Sequence, residues 1–304
     1  LGAEVYGIAL ESEHMDDHFN SIKLADRIDY KYLDIRNYES VQREVNSFQP
    51  DFIFHLAAQA IVKKSYLKPA ETWNSNLIGT LNVLESLKSL NKKCTVVIIT
   101  SDKVYKNIET DRGYKETDLL GGFDPYSASK GSAEFLINSY VKSYFDKRNS
   151  KISLGIARAG NVIGGGDWSA NRLIPDCVKS WSRSKKVTIR NPKSTRPWQH
   201  VLEAIHGYLT LAINLKKNKK LHGEVFNFGP TNKKNYNVID LVEKMKKYWQ
   251  KVSWKIIKQK KISFFESNLL KLNSNKAKNK LKWKCILSFE ETISMVTEWY
   301  KNYY

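Results

Sequence analysis

Cys94-Thr95-Val96-Val97-Ile98-Ile99-Thr100 runs apolar and β-branched through its middle, then stops at the polar triplet Ser101-Asp102-Lys103. An apolar run of this length, without polar alternation, reads as a strand buried on both faces. Such strands belong to parallel sheets covered by helices, and open sheets of that kind place their binding crevices at the carboxyl ends of the strands. Two further runs have the same form. Phe52-Ile53-Phe54-His55-Leu56 ends in Ala57-Ala58-Gln59, whose small residues let a ligand approach the backbone closely. Ile152-Ser153-Leu154-Gly155-Ile156-Ala157-Arg158 runs into Ala159-Gly160-Asn161-Val162-Ile163-Gly164-Gly165-Gly166. Helical stretches around 72–90 and 126–147 alternate with these strands, and the alternation predicts an α/β fold with a doubly wound parallel sheet. Farther on, 201–215 has helical spacing and packs on the sheet, 224–230 reads as a strand ending in a turn, and 238–250 and 289–303 read as helices of a smaller C-terminal lobe.

Tyr126 and Lys130 stand four residues apart at the start of the second helical stretch. Positions i and i+4 share a helix face, so the ammonium can approach the phenol. A nearby positive charge favours phenolate and would draw the tyrosine pKa down from about 10, making Tyr126 a general base for a substrate hydroxyl. Alone, such a pair is common by chance. Its weight comes from Ser101, Asp102 and Lys103 at the end of the neighbouring strand, which add a hydroxyl and a second acid/base couple.

Composition narrows the classes. With 304 residues, 41% of them hydrophobic and 27% charged, the chain is long enough for one large or two modest domains. No apolar run nears the roughly 18 residues of a membrane span, and no basic, apolar leader opens the chain. Cys94, Cys177 and Cys285 lack zinc spacing and read as reduced thiols of a cytoplasmic protein, with no metal site expected. The net charge of +19 is uneven: residues 1–150 carry 19 Lys+Arg against 21 Asp+Glu, and residues 151–304 carry 31 against 10. The excess is mostly lysine scattered among asparagine, as in 216–220 and 276–280, without a nucleic-acid recognition motif. It reads as a solvated face whose field attracts an anionic substrate, not as a nucleic-acid site.

At this point a resemblance becomes specific. His55-Leu56-Ala57-Ala58-Gln59, Thr100-Ser101-Asp102-Lys103-Val104-Tyr105, Asp124-Pro125-Tyr126-Ser127-Ala128-Ser129-Lys130, the run from Arg158 to Trp168, and the run from Ile189 to Val201 occur in one order along nearly the whole chain. Together they resemble the extended short-chain dehydrogenase/reductase family of nucleotide-sugar enzymes. Ser-Asp-Lys, Gly-Gly-Gly-Asp-Trp and Arg-Pro-Trp-Gln-His point within it to the branch of CDP-glucose 4,6-dehydratases. The resemblance implies NAD as cofactor, CDP-glucose as substrate, and oxidation at C4, loss of water across C5 and C6, and hydride return to C6. It implies that Tyr126 takes the C4 hydroxyl proton, that Lys130 lowers the Tyr126 pKa and holds the nicotinamide ribose, and that Ser101 positions the same hydroxyl. Asp102 would protonate the departing C6 hydroxyl and Lys103 would remove the C5 proton; related thymidine-linked enzymes carry Glu at the latter position. A charged partner of Asp102 is the competing reading of Lys103.

Further site residues are expected on the same footing. Leu56, Ala57, Ala58, Gln59 and Thr100 would line the cofactor, with Asp34-Ile35 against adenine. Glu11, after the strand of residues 3–10, could accept hydrogen bonds from the adenosine ribose, which favours NAD over its 2′-phosphorylated form. Asn161 could donate to a sugar hydroxyl or phosphate, and Gly164-Gly165-Gly166 leave room for the nucleotide. Arg172-Leu173 would run along the nucleotide. Arg190 and Arg196 are the diphosphate candidates, since guanidinium forks match phosphate geometry. His200, where relatives often carry Asp, reads as a core or capping residue, and Asn76 as a structural amide.

Residues 3–10 resemble the second strand of a dinucleotide-binding fold, and no Gly-rich turn precedes them. The expectation is therefore a fold lacking its first strand, turn and helix, with pyrophosphate binding weak without them. The expected domains are 1–163 with 199–218 for NAD, and 164–198 with 219–304 for the nucleotide sugar, in a homodimer or homotetramer. Two alternatives stay open here. One is another enzyme of the family, either a dehydratase with a different nucleotide or a 4-epimerase, the latter using Tyr126, Lys130 and Ser101 and leaving Asp102-Lys103 spare; the other is a lysine-rich nucleotide or nucleic-acid binder, which would need none of them.

Overall fold

The computed structural model describes residues 2–12, 15, 17–110, 112–146, 150–230, 235–257 and 269–304. Along the chain the strands and helices are β1 (Tyr6–Ala9), α1 (His18–Ser21), β2 (Asp29–Tyr32), α2 (Tyr38–Phe48), β3 (Phe52–His55), α3 (Val62–Leu67), α4 (Pro69–Trp73) and α5 (Gly79–Leu87). They continue as β4 (Cys94–Ile99), α6 (Pro125–Tyr140), β5 (Ile152–Ala159), β6 (Val162–Ile163), α7 (Leu173–Ser182), β7 (Val187–Ile189) and β8 (Gln199–His200). Last come α8 (Val201–Lys217), β9 (Val225–Phe228), α9 (Val238–Tyr248), β10 (Trp254–Ile256) and α10 (Phe289–Tyr303).

The three apolar runs form the centre. β3, β4, β5 and β9 pair in that order and all in parallel. β1 and β2 form a separate parallel pair, with Tyr6 opposite Asp29 and Ala9 opposite Tyr32. Two-sided burial explains why the central strands lack polar alternation. On one face Val41 and Val45 of α2, Val83, Leu84 and Leu87 of α5, and Ile137 of α6 pack on Val96, Ile98, Leu154 and Ile156. On the other face α8 contributes Ala204, Tyr208, Leu211 and Leu215 against Val97, Ala157 and Phe226. Gly155 on β5 permits that approach, because a Cβ there would meet Leu215 Cδ1 at 2.7 Å.

A second core lies in the C-terminal lobe, where Trp168, Trp181, Trp198, Leu241, Met245, Trp249, Ile293 and Tyr300 pack together. Helices α9 and α10 both open with a reciprocal capping box, Asn237 with Asp240 and Ser288 with Glu291, which fixes where each begins. One boundary moves. β9, within the span 219–304 assigned above to the lobe, is the fourth strand of the main sheet, and Ala277, Leu281 and Trp283 join the core beneath α8. The helix read around 72–90 is α4 and α5 joined through a wide turn at Asn74–Ile78. No helix among the described residues is long and apolar enough to cross a membrane. Cys94 and Cys177 are buried free thiols, and burial pushes Cys94 up to about 12.

Candidate active site

Asp124 and Pro125 decide where α6 starts. The Asp124 carboxylate accepts from the Ser127 backbone N–H at 2.9 Å and from the Ser127 hydroxyl at 2.6 Å, and Pro125 supplies a preset φ in the first turn. Tyr126 is thereby placed at the amino end of the helix, with Lys130 one turn on; both side chains are buried. Opposite them β4 ends at Ile99, and Ser101 caps a short turn over Asp102–Val104, its hydroxyl accepting from the Lys103 backbone N–H at 3.2 Å. The Ser101 hydroxyl also donates to Asp102 Oδ1 at 3.0 Å and lies near enough to the Tyr126 phenol to act on its pKa. Tyr126, Ser101 and Asp102 therefore share one small polar site between α6 and the end of β4.

Burial sets the charge states here. Asp102 is only 2% exposed, and that desolvation raises its pKa against the lowering effects of Lys103, the Ser101 hydrogen bond and Arg196. A carboxyl in this state retains its proton more readily than a surface aspartate and suits a general acid. Burial likewise pushes Tyr126 up to about 12, outweighing the Ser101 hydroxyl and the charge of Arg172. The expectation that Lys130 draws the phenol down is thus reversed in this state. The Lys130 ammonium donates to the Ile99 carbonyl at 3.1 Å, and its own burial lowers it to about 8. Lys130 lies near His55, whose ring burial holds neutral with a pKa of about 3.

Gly160 is the floor of the site. A Cβ at that position would lie 1.8 Å from Asp102 Oδ2, so any side chain must displace the carboxyl. Asn161 follows with φ 45°, a left-handed conformation asparagine tolerates, and its amide reaches Asp102 Oδ2 at 3.4 Å. That bond sets the amide expected to meet a substrate hydroxyl or phosphate beside the candidate acid. Gly160→Ala is expected to lose activity through Asp102 and to destabilise the fold by about 1–3 kcal/mol, the usual range for overpacking. Thermal unfolding alongside turnover checks both parts.

The remaining expected site residues divide. Leu56, at the carboxyl end of β3, is 54% exposed beside half-buried Ala57 and Ala58, an apolar step with accessible backbone. Glu11 is exposed after β1, close enough for its charge to act on Tyr32 at the end of β2. Asp34 is held by Arg36, whose side chain and backbone both donate to it and keep its pKa low. Ile35 packs on α5, where a Cβ on Gly79 would meet its Cδ1 at 2.4 Å.

The side chains of Gln59 and Thr100 are held by other groups of the protein. Gln59 is buried, its amide donating to Thr72 at 2.8 Å and its carbonyl accepting from the Ile61 backbone at 2.7 Å. Asn76 clamps the Gln59 backbone N–H and C=O at 2.8 and 3.1 Å, the structural amide expected of it. Thr100 donates its hydroxyl to Glu134 at 2.7 Å.

On the lobe side, Arg172 precedes α7 and pairs with Asp167 at 2.9 Å, and its charge reaches Tyr126. Leu173 is half-buried against the lobe core. Arg196 acts on Asp102, whereas exposed Arg190 stands beside Asp176 of α7 with Lys63 and Lys179. The glycine run does not leave open space: a Cβ on Gly165 would meet Trp299 at 2.1 Å and one on Gly166 would meet His18 at 2.5 Å. His200 caps α8, its Nδ1 accepting from the Leu202 backbone at 3.2 Å.

Sequence reasoning missed Glu134, Arg158, Tyr105 and Asn227, which form a buried network beside the site. One signal was available: Arg158 is the single charge in an otherwise apolar strand, and a buried charge requires a partner.

Residues 1–296 match the family described as GDP-mannose 4,6 dehydratase. CDP-glucose 4,6-dehydratase of Salmonella typhimurium is 39% identical over 305 aligned residues, covering 99% of this chain and 84% of that protein. CDP-paratose 2-epimerase of Salmonella typhi is 25% identical, covering 76% of this chain and 73% of the relative. Among solved structures, UDP-glucuronic acid 4-epimerase of Bacillus cereus superposes with a TM-score of 0.82 at 22% identity, covering 99% and 92% of the two chains. dTDP-glucose 4,6-dehydratase of Bacillus anthracis in complex with NAD gives 0.80 at 20% identity, covering 98% and 88%.

Proposed function

The chain belongs to the GDP-mannose 4,6-dehydratase family, and from that premise we propose that it is an NAD-dependent hydro-lyase acting on CDP-glucose. The observation that carries the reading is the shared site of Tyr126, Ser101 and buried Asp102. An epimerase needs the phenol and hydroxyl and has no use for a carboxyl whose pKa burial raises. The CDP-glucose assignment is supported by 39% identity to the Salmonella typhimurium enzyme.

The residues at the strand ends fit the cofactor: exposed Leu56 with Ala57 and Ala58 offers an apolar step, Glu11 and Asp34 offer acceptors, and Lys130 carries three protons, one of them given to Ile99. NAD bound there would supply the acceptor for the C4 hydride and return that hydride to C6. Tyr126 takes the proton of the C4 hydroxyl, with Ser101 holding the same oxygen. The resulting ketone acidifies C5, and Lys103, half-buried on the next turn, takes the C5 proton as its neutral amine. Asp102 delivers its proton to the C6 oxygen, which leaves as water. Arg172 and Arg196, both charged and both acting on this site, hold the diphosphate.

The test is a nucleotide-sugar screen with added NAD. CDP-glucose should yield the alkali-labile 4-keto product; turnover of UDP- or dTDP-glucose instead would reject the assignment. Lys103→Ala is expected to keep exchange at C4 while water loss falls about 10²–10⁴-fold, the range for removing a general base. Equal loss of both steps would remove Lys103 from the role of C5 base. A cytoplasmic homodimer or homotetramer is part of the same proposal, checked by light scattering.

A further inference from the structure

We infer that Glu134 and Arg158 are positioning residues: one buried ion pair holds the Thr100–Tyr105 segment, and with it Ser101, Asp102 and Lys103, in register with Tyr126 and Lys130 on α6. The inference rests on the dehydratase reading for what those groups do, though not for where they lie.

Both side chains of the pair are 3% exposed. Arg158 Nε donates to Glu134 Oε1 at 2.8 Å, and its Nη2 donates to Glu134 Oε2, a two-point pairing. From this pair one arm runs to each end of the segment. Thr100, the residue before Ser101, donates its hydroxyl to Glu134 Oε1 at 2.7 Å. Tyr105, two residues beyond Lys103, accepts from Arg158 Nη1 at 2.7 Å, and the guanidinium carbon lies 4.6 Å from the centre of its ring. The Tyr105 hydroxyl donates to Asn227 Oδ1 at 2.7 Å, and Asn227 Nδ2 donates onward to the Tyr114 carbonyl at 2.8 Å. Glu134 sits on the same helix as Tyr126 and Lys130, so a single carboxylate ties that helix, β5 and the segment together.

Stability alone does not account for such a pair. Desolvating two ions is costly, and apolar residues of similar volume often serve the fold equally well. Fixed geometry at both ends of a reacting segment is what the pair adds. The charge of Glu134 also acts on Lys130, opposing the burial that lowers that ammonium to about 8. Among the described residues, the titratable groups facing Lys130 are Glu134 on its own helix and neutral His55 from β3.

Thr100→Val and Tyr105→Phe each delete one arm and leave the pair intact. Each is expected to lower kcat for CDP-glucose about tenfold, the cost of a misplaced catalytic group, with KM near wild type; Thr100→Val keeps the melting temperature near wild type, whereas Tyr105→Phe lowers it by leaving buried Asn227 Oδ1 without its donor. Thr100→Ser should restore the rate. Unchanged kcat in both, or kcat falling only together with melting temperature, overturns the inference. A second readout needs no substrate: the Lys130 titration followed by NMR of ¹³Cε-lysine. Removing the Glu134 charge should lower its midpoint by about one pH unit. Glu134→Gln is measured if it folds; otherwise the double variant Glu134→Gln/Arg158→Met is used, which leaves no ion unpaired. An unmoved midpoint contradicts the pairing, whereas a wild-type chain inert toward CDP-glucose contradicts the functional reading alone.

Discussion

Tyr126→Phe is expected to lower kcat about 10³-fold while KM stays within about threefold, because only a group that moves a proton in the reaction is deleted. The ring is buried, so the substitution keeps its volume and packing. The Ser101 hydroxyl keeps its bond to Asp102 Oδ1 at 3.0 Å, so no buried donor is orphaned. A large rate loss without loss of stability therefore isolates the phenol's chemistry. Neither reduced cofactor nor 4-keto product should appear on mixing. Turnover within about tenfold of wild type would show that another group takes the C4 proton.

Asp102→Asn should separate the two halves of the reaction. The amide matches the carboxyl in shape, so exchange at C4, which uses Tyr126 and Ser101, should persist. Water loss should fall about 10³-fold, since the amide has no acidic proton to deliver. The pH dependence carries the same sign. Burial raises the Asp102 pKa, so its proton is retained to higher pH than an exposed aspartate would allow and elimination fails as pH rises through that value. In the variant that limb of the profile should vanish. Equal loss of C4 exchange and elimination would make Asp102 a structural residue.

How much of this was legible beforehand depended on the kind of signal. The sheet was, because Cys94–Ile99 and Ile152–Ala159 are apolar through their length and two-sided burial is the physical cause. Tyr126, Ser101 and Asp102 were too, since helix periodicity and a strand end fix where each points. The direction of the Tyr126 pKa was not. Spacing places Lys130 one turn away but cannot say that its ammonium donates to the Ile99 carbonyl, or that desolvation outweighs charge. For Gln59 and Thr100 the spacing could not show their hydrogen-bond partners, since Thr72 and Glu134 lie on other elements. The glycine run was read as open space. Glycine marks close approach without naming the visitor, and Trp299 and His18 from distant segments occupy it.

The central claim is that the phenol of Tyr126 and the carboxyl of Asp102 act on one hexose ring. Supplying CDP-[4-²H]glucose and locating the label in the product tests it most directly. Deuterium should appear at C6 of a 4-keto-6-deoxy sugar, with one solvent proton at C5. Label returned to C4 of an intact hexose, with oxygen still on C6, would contradict the claim.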